Sequence, residues 1–432
     1  MLRHFLRLAI PCIVTNVFSY AVMTVNTIFA GQFKHDSAEK LAGVGLGSML
    51  LGMFCRIILA GVNCAQETLV SQAYGQNELR LAGIYFNRGR LIMCVVYIPL
   101  GIFLSQAEKI LIAIGQDATV AAYAQLYIWP MIPGMIFLGF FDLSRRFLTC
   151  LQYSQGPMIA QIFSSILHLV LCIFWVAPGD LDVGGLGMAT MITYLVMWVF
   201  TDGYACYVPE CRKALHWPNR ETLRGWSEYL AIALPSTVLM LAEGWAFNVL
   251  GIMAGLISVT DQAVCTILFQ LIAVMFMVPN GLQSACCAII GEKIGANNVA
   301  VAKQYFKIMS ITTLTFLAAL QLLVYVLKEE IVALFTSDPD VFKLANASVF
   351  IIIVTFTPDM IQGSLQGVIR ALGIQRVASY YSLASYYLLG IPLALVLTFV
   401  FDMGVIGLWT GIFAGLCLIA IIFLRLVIKT DW

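Results

Sequence analysis

Apolar residues in this chain gather into long runs separated by short polar breaks. A helix needs about 20 residues to cross a hydrocarbon core of about 30 Å. Windows of that length pick out runs at 8–30, 42–66, 88–106, 119–141, 157–177, 184–207, 229–256, 261–288, 304–327, 344–368, 377–400 and 404–427. These predict twelve transmembrane helices and an all-α polytopic membrane protein. The longest connection, from about Val208 to Glu228, is too short for a soluble domain, so function has to lie within the bundle. Residues 1–207 are read as an N-terminal lobe of helices one to six, 208–228 as a cytoplasmic inter-lobe linker and 229–432 as a C-terminal lobe of helices seven to twelve. Arg3 and Arg7 precede the first run much as in a signal peptide, but the run is about twice an h-region in length. It is read as a retained first helix.

Composition agrees with the pattern: 61% hydrophobic residues, 11% charged and a mean hydropathy of +0.91, against about 25% charged in a soluble domain. Of the 24 Lys and Arg, 18 fall on the side of the N-terminus and five, Lys34, Lys40, Lys109, Lys328 and Lys343, on the other. Only Arg56 is left inside a run. The positive-inside rule then places both termini in the cytoplasm. A net charge of +1 points to no nucleic-acid partner. The 12 Cys form no C-x-x-C pair and no His stands at ligand spacing, so they are read as small apolar residues, with no metal and no cofactor. There is no H-E-x-x-H, G-x-S-x-G or Walker pattern, which disfavours an enzyme. Gly43, Gly45 and Gly47 are read as close helix packing, since no strand precedes them.

The two halves repeat. Ala9-Ile10-Pro11 matches Ala233-Leu234-Pro235 at an offset of 224, and Gly75, Asn77, Ala82 and Tyr85-Phe86 match Gly295, Asn297, Ala302 and Tyr305-Phe306 at 220. Gln155 and Ser165 match Gln375 and Ser385 at 220, and Gly185-Leu186 matches Gly407-Leu408 at 222. Six helices per repeat is an even number, so both repeats enter from the same side and form parallel, pseudo-symmetric six-helix lobes. Two such bundles around a shared cavity is a general transporter plan.

Most acids belong to loops or span ends; Asp142 and Asp202 are read as solvated or capping residues there, and Glu67 as a mouth residue or a helix-end charge. Glu243 and Asp359 instead lie about half-way through their runs. An acid at the bilayer centre costs about 2.5–3.5 kcal/mol on insertion scales and marks a functional site. Asp359 follows Pro358, which removes an amide donor, and Gln362, Gly363, Gln366 and Arg370 follow on one helix face. Trp245, Phe247 and Asn248 stand near Glu243 and offer an aromatic and amide setting for a cation. Desolvation disfavours the charged form of a carboxyl, so a proton and a lipophilic cation would compete for these acids, which is the simplest chemistry of antiport. Secondary cavity candidates are Arg56, which would snorkel, pair with an acid or attract an anion, and His168, a proton relay or a locally satisfied side chain.

At these residues the chain resembles the multidrug and toxic compound extrusion (MATE) family, in its eukaryotic branch. The resemblance covers nearly the whole chain. It rests on Glu67-Thr68-Leu69 with Ser71-Gln72-Ala73-Tyr74-Gly75, Ala233-Leu234-Pro235 with Glu243, and Pro279-x-Gly281. It rests also on Asp359 leading to Gln366-Gly367-Val368-Ile369-Arg370, on Gly407-Leu408-Trp409-x-Gly411 and on Thr430-Asp431-Trp432. The resemblance implies a V of two lobes around a central cavity, and proton coupling and organic-cation recognition at Glu243 and Asp359. Two positions depart from relatives: Asn26 stands before Thr27-Ile28-x-Ala30-Gly31 where many prokaryotic relatives have an aspartate, and Asn248 where some have a second helix-seven acid.

The expected function is a monomeric secondary antiporter that exports organic cations, drugs or neutral amphipathic metabolites in exchange for protons, in the plasma membrane or an endomembrane. The alternatives are a lipid-linked saccharide flippase, a sodium-coupled exporter, and a non-transporting receptor or structural bundle.

Overall fold

The computed structural model describes residues 1–33, 35–176, 181–336 and 338–432. Among the described residues, twelve helices are long and apolar enough to cross a membrane: α1 Leu2–Ala30, α2 Ser37–Gly75, α3 Leu79–Ser105, α4 Ala118–Cys150, α5 Gln155–Val176, α6 Asp182–Tyr207, α7 Trp226–Ile257, α8 Val259–Gly295, α9 Val299–Val326, α10 Pro339–Leu372, α11 Gln375–Phe399 and α12 Gly404–Lys429. Short helices at Ala107–Ala113, Pro209–Ala214 and Lys328–Ala333 lie in connections. Lys34 and Asp180, which the sequence reading assigns to outer loops, and Ala177, the end of the fifth apolar run, lie outside the described residues.

Several helices outrun their apolar windows. The fourth run ends at 141 but α4 continues to Cys150, and the tenth ends at 368 but α10 continues to Leu372. The reason is that hydropathy reports only the hydrocarbon-facing stretch, whereas backbone hydrogen bonding continues wherever buried polar side chains find partners. Arg145 and Arg146 therefore sit inside α4.

The chain forms two compact units, Val14–Thr237 and Met1–Ile13 with Val238–Trp432, so the divisions fall within α1 and α7. The internal repeat is visible in matching local geometry. At the end of α2, Asn77 is left-handed (φ 65°), Asn77 N–H donates to Tyr74 O and Glu78 N–H to Ala73 O. At the end of α8, 220 residues on, Asn297 is left-handed (φ 55°), Asn297 N–H donates to Ile294 O and Asn298 N–H to Lys293 O. Asn tolerates this conformation, and the pair of bonds satisfies carbonyls that a helix end leaves unpaired. The ends of α4 and α10 correspond in the same way. Gln152 (φ 73°) and Gly373 (φ 73°) bond to Thr149 O and Arg370 O, followed by Tyr153 to Leu148 O and Ile374 to Ile369 O.

Small residues set how closely helices approach. A Cβ on Gly43 would meet Tyr123 at 2.6 Å, and one on Gly47 would meet the Tyr127 ring at 2.9 Å, so these two pack α2 against α4. Gly45 faces open space instead and does not share that role. In the other unit, Gly407, Gly411 and Gly415 line the face of α12 against α11. A Cβ on Gly411 would stand 2.2 Å from the Ala394 backbone nitrogen. Backbone cannot yield as a flexible side chain does, and dispersion from close approach is what associates helices in lipid. Gly411→Val is expected to cost about 3 kcal/mol or more, the upper end for overpacking. The check is a fall in melting temperature and in monodisperse yield in detergent, with Gly45→Val, which meets nothing within 4 Å, as the tolerated control.

Cysteine behaves as a packing residue. Nine of the 12 are buried and none forms a disulfide among the described residues. Cys211, in the connection after α6, is fully buried, and burial pushes its thiol up to about 12, which keeps it protonated and unreactive.

Candidate functional site

The centre of the second unit is built on α10. Asp359, Gln362, Gln366 and Arg370 are all 3% exposed or less. Their spacing of 3, 7 and 11 residues keeps them on one helix face. Buried polar groups need partners, and these supply one another. Gln362 Nε2 donates to Asp359 Oδ1 (3.1 Å) and to Glu243 Oε1 of α7 (3.1 Å). Gln366 Nε2 donates to the other Glu243 oxygen (3.1 Å) and to Gln362 Oε1 (2.8 Å), and Arg370 Nη2 reaches Gln366 Oε1 at 3.5 Å. One amide thus bridges two carboxyls, and a chain of amides leads from them to a guanidinium.

A residue that sequence reading did not single out completes this cluster. Ser385–Gly390 of α11 is a π-helical turn, and its Tyr386 is fully buried. The Tyr386 hydroxyl interacts electrostatically with both Glu243 and Asp359 and has no hydrogen-bond partner among the described residues. π-turns re-aim side chains and often mark functional sites. Its only trace in the sequence is Ser385, one residue earlier, which belongs to the repeat through Ser165. No pattern reads a π-turn from residue types.

The other second-unit candidates hold different places. Phe247 packs in an aromatic cluster with Phe269 (ring centroids 6.1 Å apart) and Trp409 (6.4 Å). Asn248 donates its amide to the Gly244 carbonyl one turn back (2.6 Å). Trp245 is 39% exposed. The structure brings Glu243 together with Asp359, Gln362 and Gln366, not with the amide of Asn248.

In the first unit Asn26 and His168 meet. His168 is fully buried, with Nε2 3.0 Å from Asn26 Oδ1 and Nδ1 3.1 Å from Thr193 Oγ1. The Asn26 Oδ1 can only accept, so the neutral ring is assigned its proton on Nε2, and the Thr193 hydroxyl also reaches the Ala189 carbonyl at 2.8 Å. Asn26 Nδ2 donates to Tyr127 Oη (3.2 Å) and Thr190 Oγ1 (3.1 Å). Every polar atom of the Asn26 amide is engaged, so Asn26 is a neutral cross-link between helices. Arg56 belongs to a second π-turn, Gly52–Arg56, at the middle of α2. It lines a pocket with Asn26, Tyr127 and Tyr194, and its Nη1 lies 2.9 Å from the Met23 sulfur.

Three acids read as loop or helix-end groups are inside helices and ion-paired. Glu67 lies within α2, is 2% exposed and pairs with Arg146 Nη1 at 2.7 Å. Asp142 binds Arg145 (2.6 Å) and Arg146 Nε (2.7 Å) and accepts from Asn63 (3.1 Å). Asp202 binds Arg90 (2.6 Å), Ser144 (2.5 Å) and the Trp198 indole N–H (2.8 Å). Sequence distance hid the Glu67–Arg146 and Asp202–Arg90 pairs, whose partners come from different helices, whereas Asp142 pairs within α4 at i+3 and i+4. Among the described residues, no three His, Cys, Asp or Glu converge to hold a metal ion.

Residues 11–174 and 235–396 match the MatE family profile. The chain is 28% identical over 436 residues to multidrug and toxin extrusion protein 1 of Danio rerio, covering 99% of this chain and 72% of that protein. It is 28% identical over 439 residues to Protein DETOXIFICATION 37 of Arabidopsis thaliana, covering 100% and 86%. In fold it is similar to the crystal structure of the eukaryotic MATE transporter AtDTX14, with a TM-score of 0.94 at 24% identity, over 100% of this chain and 96% of that one.

Proposed function

The chain belongs to the MatE family of multi-pass membrane transporters, and we propose that it is a secondary antiporter that exports organic cations in exchange for protons at Glu243 and Asp359. The observation that carries this reading is the single Gln362 amide shared by the two carboxyls, 3.1 Å from each. Two carboxylates held by one neutral donor in a desolvated setting repel one another, and either a bound cation or a proton relieves the repulsion. Cation and proton are therefore alternatives at this site.

The exchange follows from the donors and acceptors. With both acids ionised the pair attracts an amphipathic cation, and Gln362 and Gln366 hold Glu243 through both its oxygens. A proton arriving on either acid halves the charge that held the cation and turns one carboxyl oxygen from acceptor to donor. The amides must then redistribute along α10, which gives protonation a structural consequence on the same helix. A ligand shifts a two-state equilibrium only as far as it binds the states differently. Here the difference is the charge of the pair.

In this reading transport is shared by six-helix lobes at 1–207 and 229–432, both termini face the cytoplasm, and a monomer is the working unit. The test uses purified protein in liposomes loaded with a fluorescent lipophilic cation. An imposed pH gradient is expected to drive its efflux with proton movement in the opposite direction, while a sodium gradient at equal pH is expected to drive none. Sodium-driven efflux at equal pH would overturn the proton reading in favour of the sodium-coupled alternative.

A further inference from the structure

The connection between α6 and α7, all within the first unit, is held at one depth against α3. Gly83 lacks a Cβ where one would collide with the Ala214 carbonyl oxygen, so the chain lies directly on that helix. Asn87 Nδ2 donates to His216 O (2.7 Å), and Arg88 Nη2 donates to Glu221 O (3.3 Å). Gly225, left-handed at φ 72°, turns the chain into α7 beside the Arg88 guanidinium. These anchors span residues 83–88 of α3, about 8 Å along its axis. The apolar run of that helix begins only at residue 88, so the connection rides in the headgroup layer, just outside hydrocarbon.

What it presents there is basic and aromatic. Trp217 is 91% exposed and Leu223 64%. Arg212, Lys213, Arg220 and Arg224 are exposed as well, and none of them has a carboxylate within ion-pair distance among the described residues. The nearby acids are taken: Glu221 by Arg80 (3.2 Å), Glu228 by Arg88 (3.5 Å) and Tyr85 (3.0 Å), and Glu210 by the Tyr153 hydroxyl (2.5 Å). Four cations without counter-charge thus surround a tryptophan, whose amphipathic ring favours the membrane interface. A soluble acidic partner would answer the charges but not the depth. A lipid phosphate with acyl chains below it answers both.

We propose that this connection binds the headgroups of anionic phospholipids, with the four basic side chains on the phosphates and Trp217 seated among the glycerol and upper acyl carbons. In the orientation proposed above this is the cytoplasmic leaflet, where anionic lipid is concentrated. Near such a surface each Lys or Arg is worth about fivefold in affinity, so the four together select anionic over zwitterionic lipid. The binding itself depends on neither the orientation nor the proton coupling.

The test places the full chain in nanodiscs of mixed phosphatidylcholine and phosphatidylglycerol, one or the other brominated on acyl carbons near the glycerol. The readout is quenching of Trp217 emission, taken as the difference between each protein and its own Trp217→Phe version. Brominated phosphatidylglycerol is expected to quench at a lower mole fraction than brominated phosphatidylcholine. Arg220→Gln combined with Arg224→Gln is expected to raise that mole fraction about tenfold or more, and high salt to raise it in wild type. Lys303→Gln combined with Lys307→Gln removes the same charge from exposed positions on α9 and is expected to leave it unchanged. Every substituted side chain is exposed, so the fold should persist in each variant.

Equal quenching by the two lipids in wild type overturns the proposal. So does an equal shift in the Lys303 and Lys307 variant, since the preference would then belong to net charge and not to this connection. Quenching by neither lipid overturns it too, because Trp217 would then stand in water, open to a soluble acidic partner. Failure of the proton-gradient test with the lipid preference intact would sink the coupling reading and leave this site standing, and the converse result would do the reverse.

Discussion

Proteoliposomes carrying Glu243→Gln or Asp359→Asn are expected to lose gradient-driven cation efflux by about tenfold or more. Both substitutions keep the side-chain shape and one oxygen acceptor, so Asp359→Asn can keep its Gln362 contact and Glu243→Gln one of its two amide contacts, and the fold should persist. What disappears is the capacity to change charge. A hydrogen bond to a charged group contributes about 1.5–3 kcal/mol, which corresponds to about 10- to 150-fold in cation affinity.

The pair also separates two roles. Substrate counterflow, which needs binding and alternating access but no net proton movement, should survive better than gradient-driven efflux if one acid serves mainly the proton. Tyr386→Phe gives a finer readout, because its buried hydroxyl, without a hydrogen-bond partner among the described residues, interacts electrostatically with both acids. Its removal should shift the pH dependence of efflux while the maximal rate changes little. Undiminished pH-driven efflux in both carboxyl variants would falsify the proton-coupling proposal, whatever happened at Tyr386.

The second large effect is on stability. Arg146 serves Glu67 at 2.7 Å and Asp142 at 2.7 Å from different nitrogens, with its own side chain 8% exposed. Arg146→Met removes one cation and leaves two acids facing each other in a buried setting, Asp142 keeping only Arg145. Breaking a buried pair by deleting one partner costs about 3–5 kcal/mol, because an uncompensated charge remains. A marked drop in melting temperature in detergent is the expected result.

The diagnostic comparison is Arg146→Met with Glu67→Gln added. Neutralising Glu67, which has lost its ion pair with Arg146, should recover part of the loss even though it removes another native group. Arg146→Lys should fall between, since an ammonium has the charge without the fork that reaches two acids. A melting temperature for Arg146→Met equal to wild type would show that the cluster contributes nothing to holding α2 and α4 together.

How much of this was legible in the sequence differs from level to level. The Asp359–Arg370 stripe could be read directly, because 3.6 residues per turn fixes which side chains share a face, and α10 obeys that period across Pro358. That Glu243 meets this stripe through Gln362 and Gln366 could not be read, since period says nothing about which faces of two helices oppose. The same limit explains the acids. Glu67, Asp142 and Asp202 stand near span ends in sequence, which reads as solvated charge, but cations on other turns and other helices convert them into buried structural pairs. Gly45 shows the limit in miniature: a run of three alternating glycines looks like one packing surface, yet a helix turns every second residue away by about 200°.

Sequence alone determined the twelve spans, the duplication and the family. These depend on local quantities: apolar length against bilayer thickness, residue identity at fixed offsets, and the cost of an acid in hydrocarbon. Tertiary structure decided the partners. It gave Glu243 the bridging amide of Gln362, gave His168 and Asn26 to each other, brought Tyr386 on a π-turn into electrostatic reach of both acids, and, among the described residues, put no carboxylate within ion-pair distance of Arg56. The reason is physical: desolvation makes every buried charge demand compensation, but whether a partner exists depends on which helices pack side by side, and no single helix carries that information.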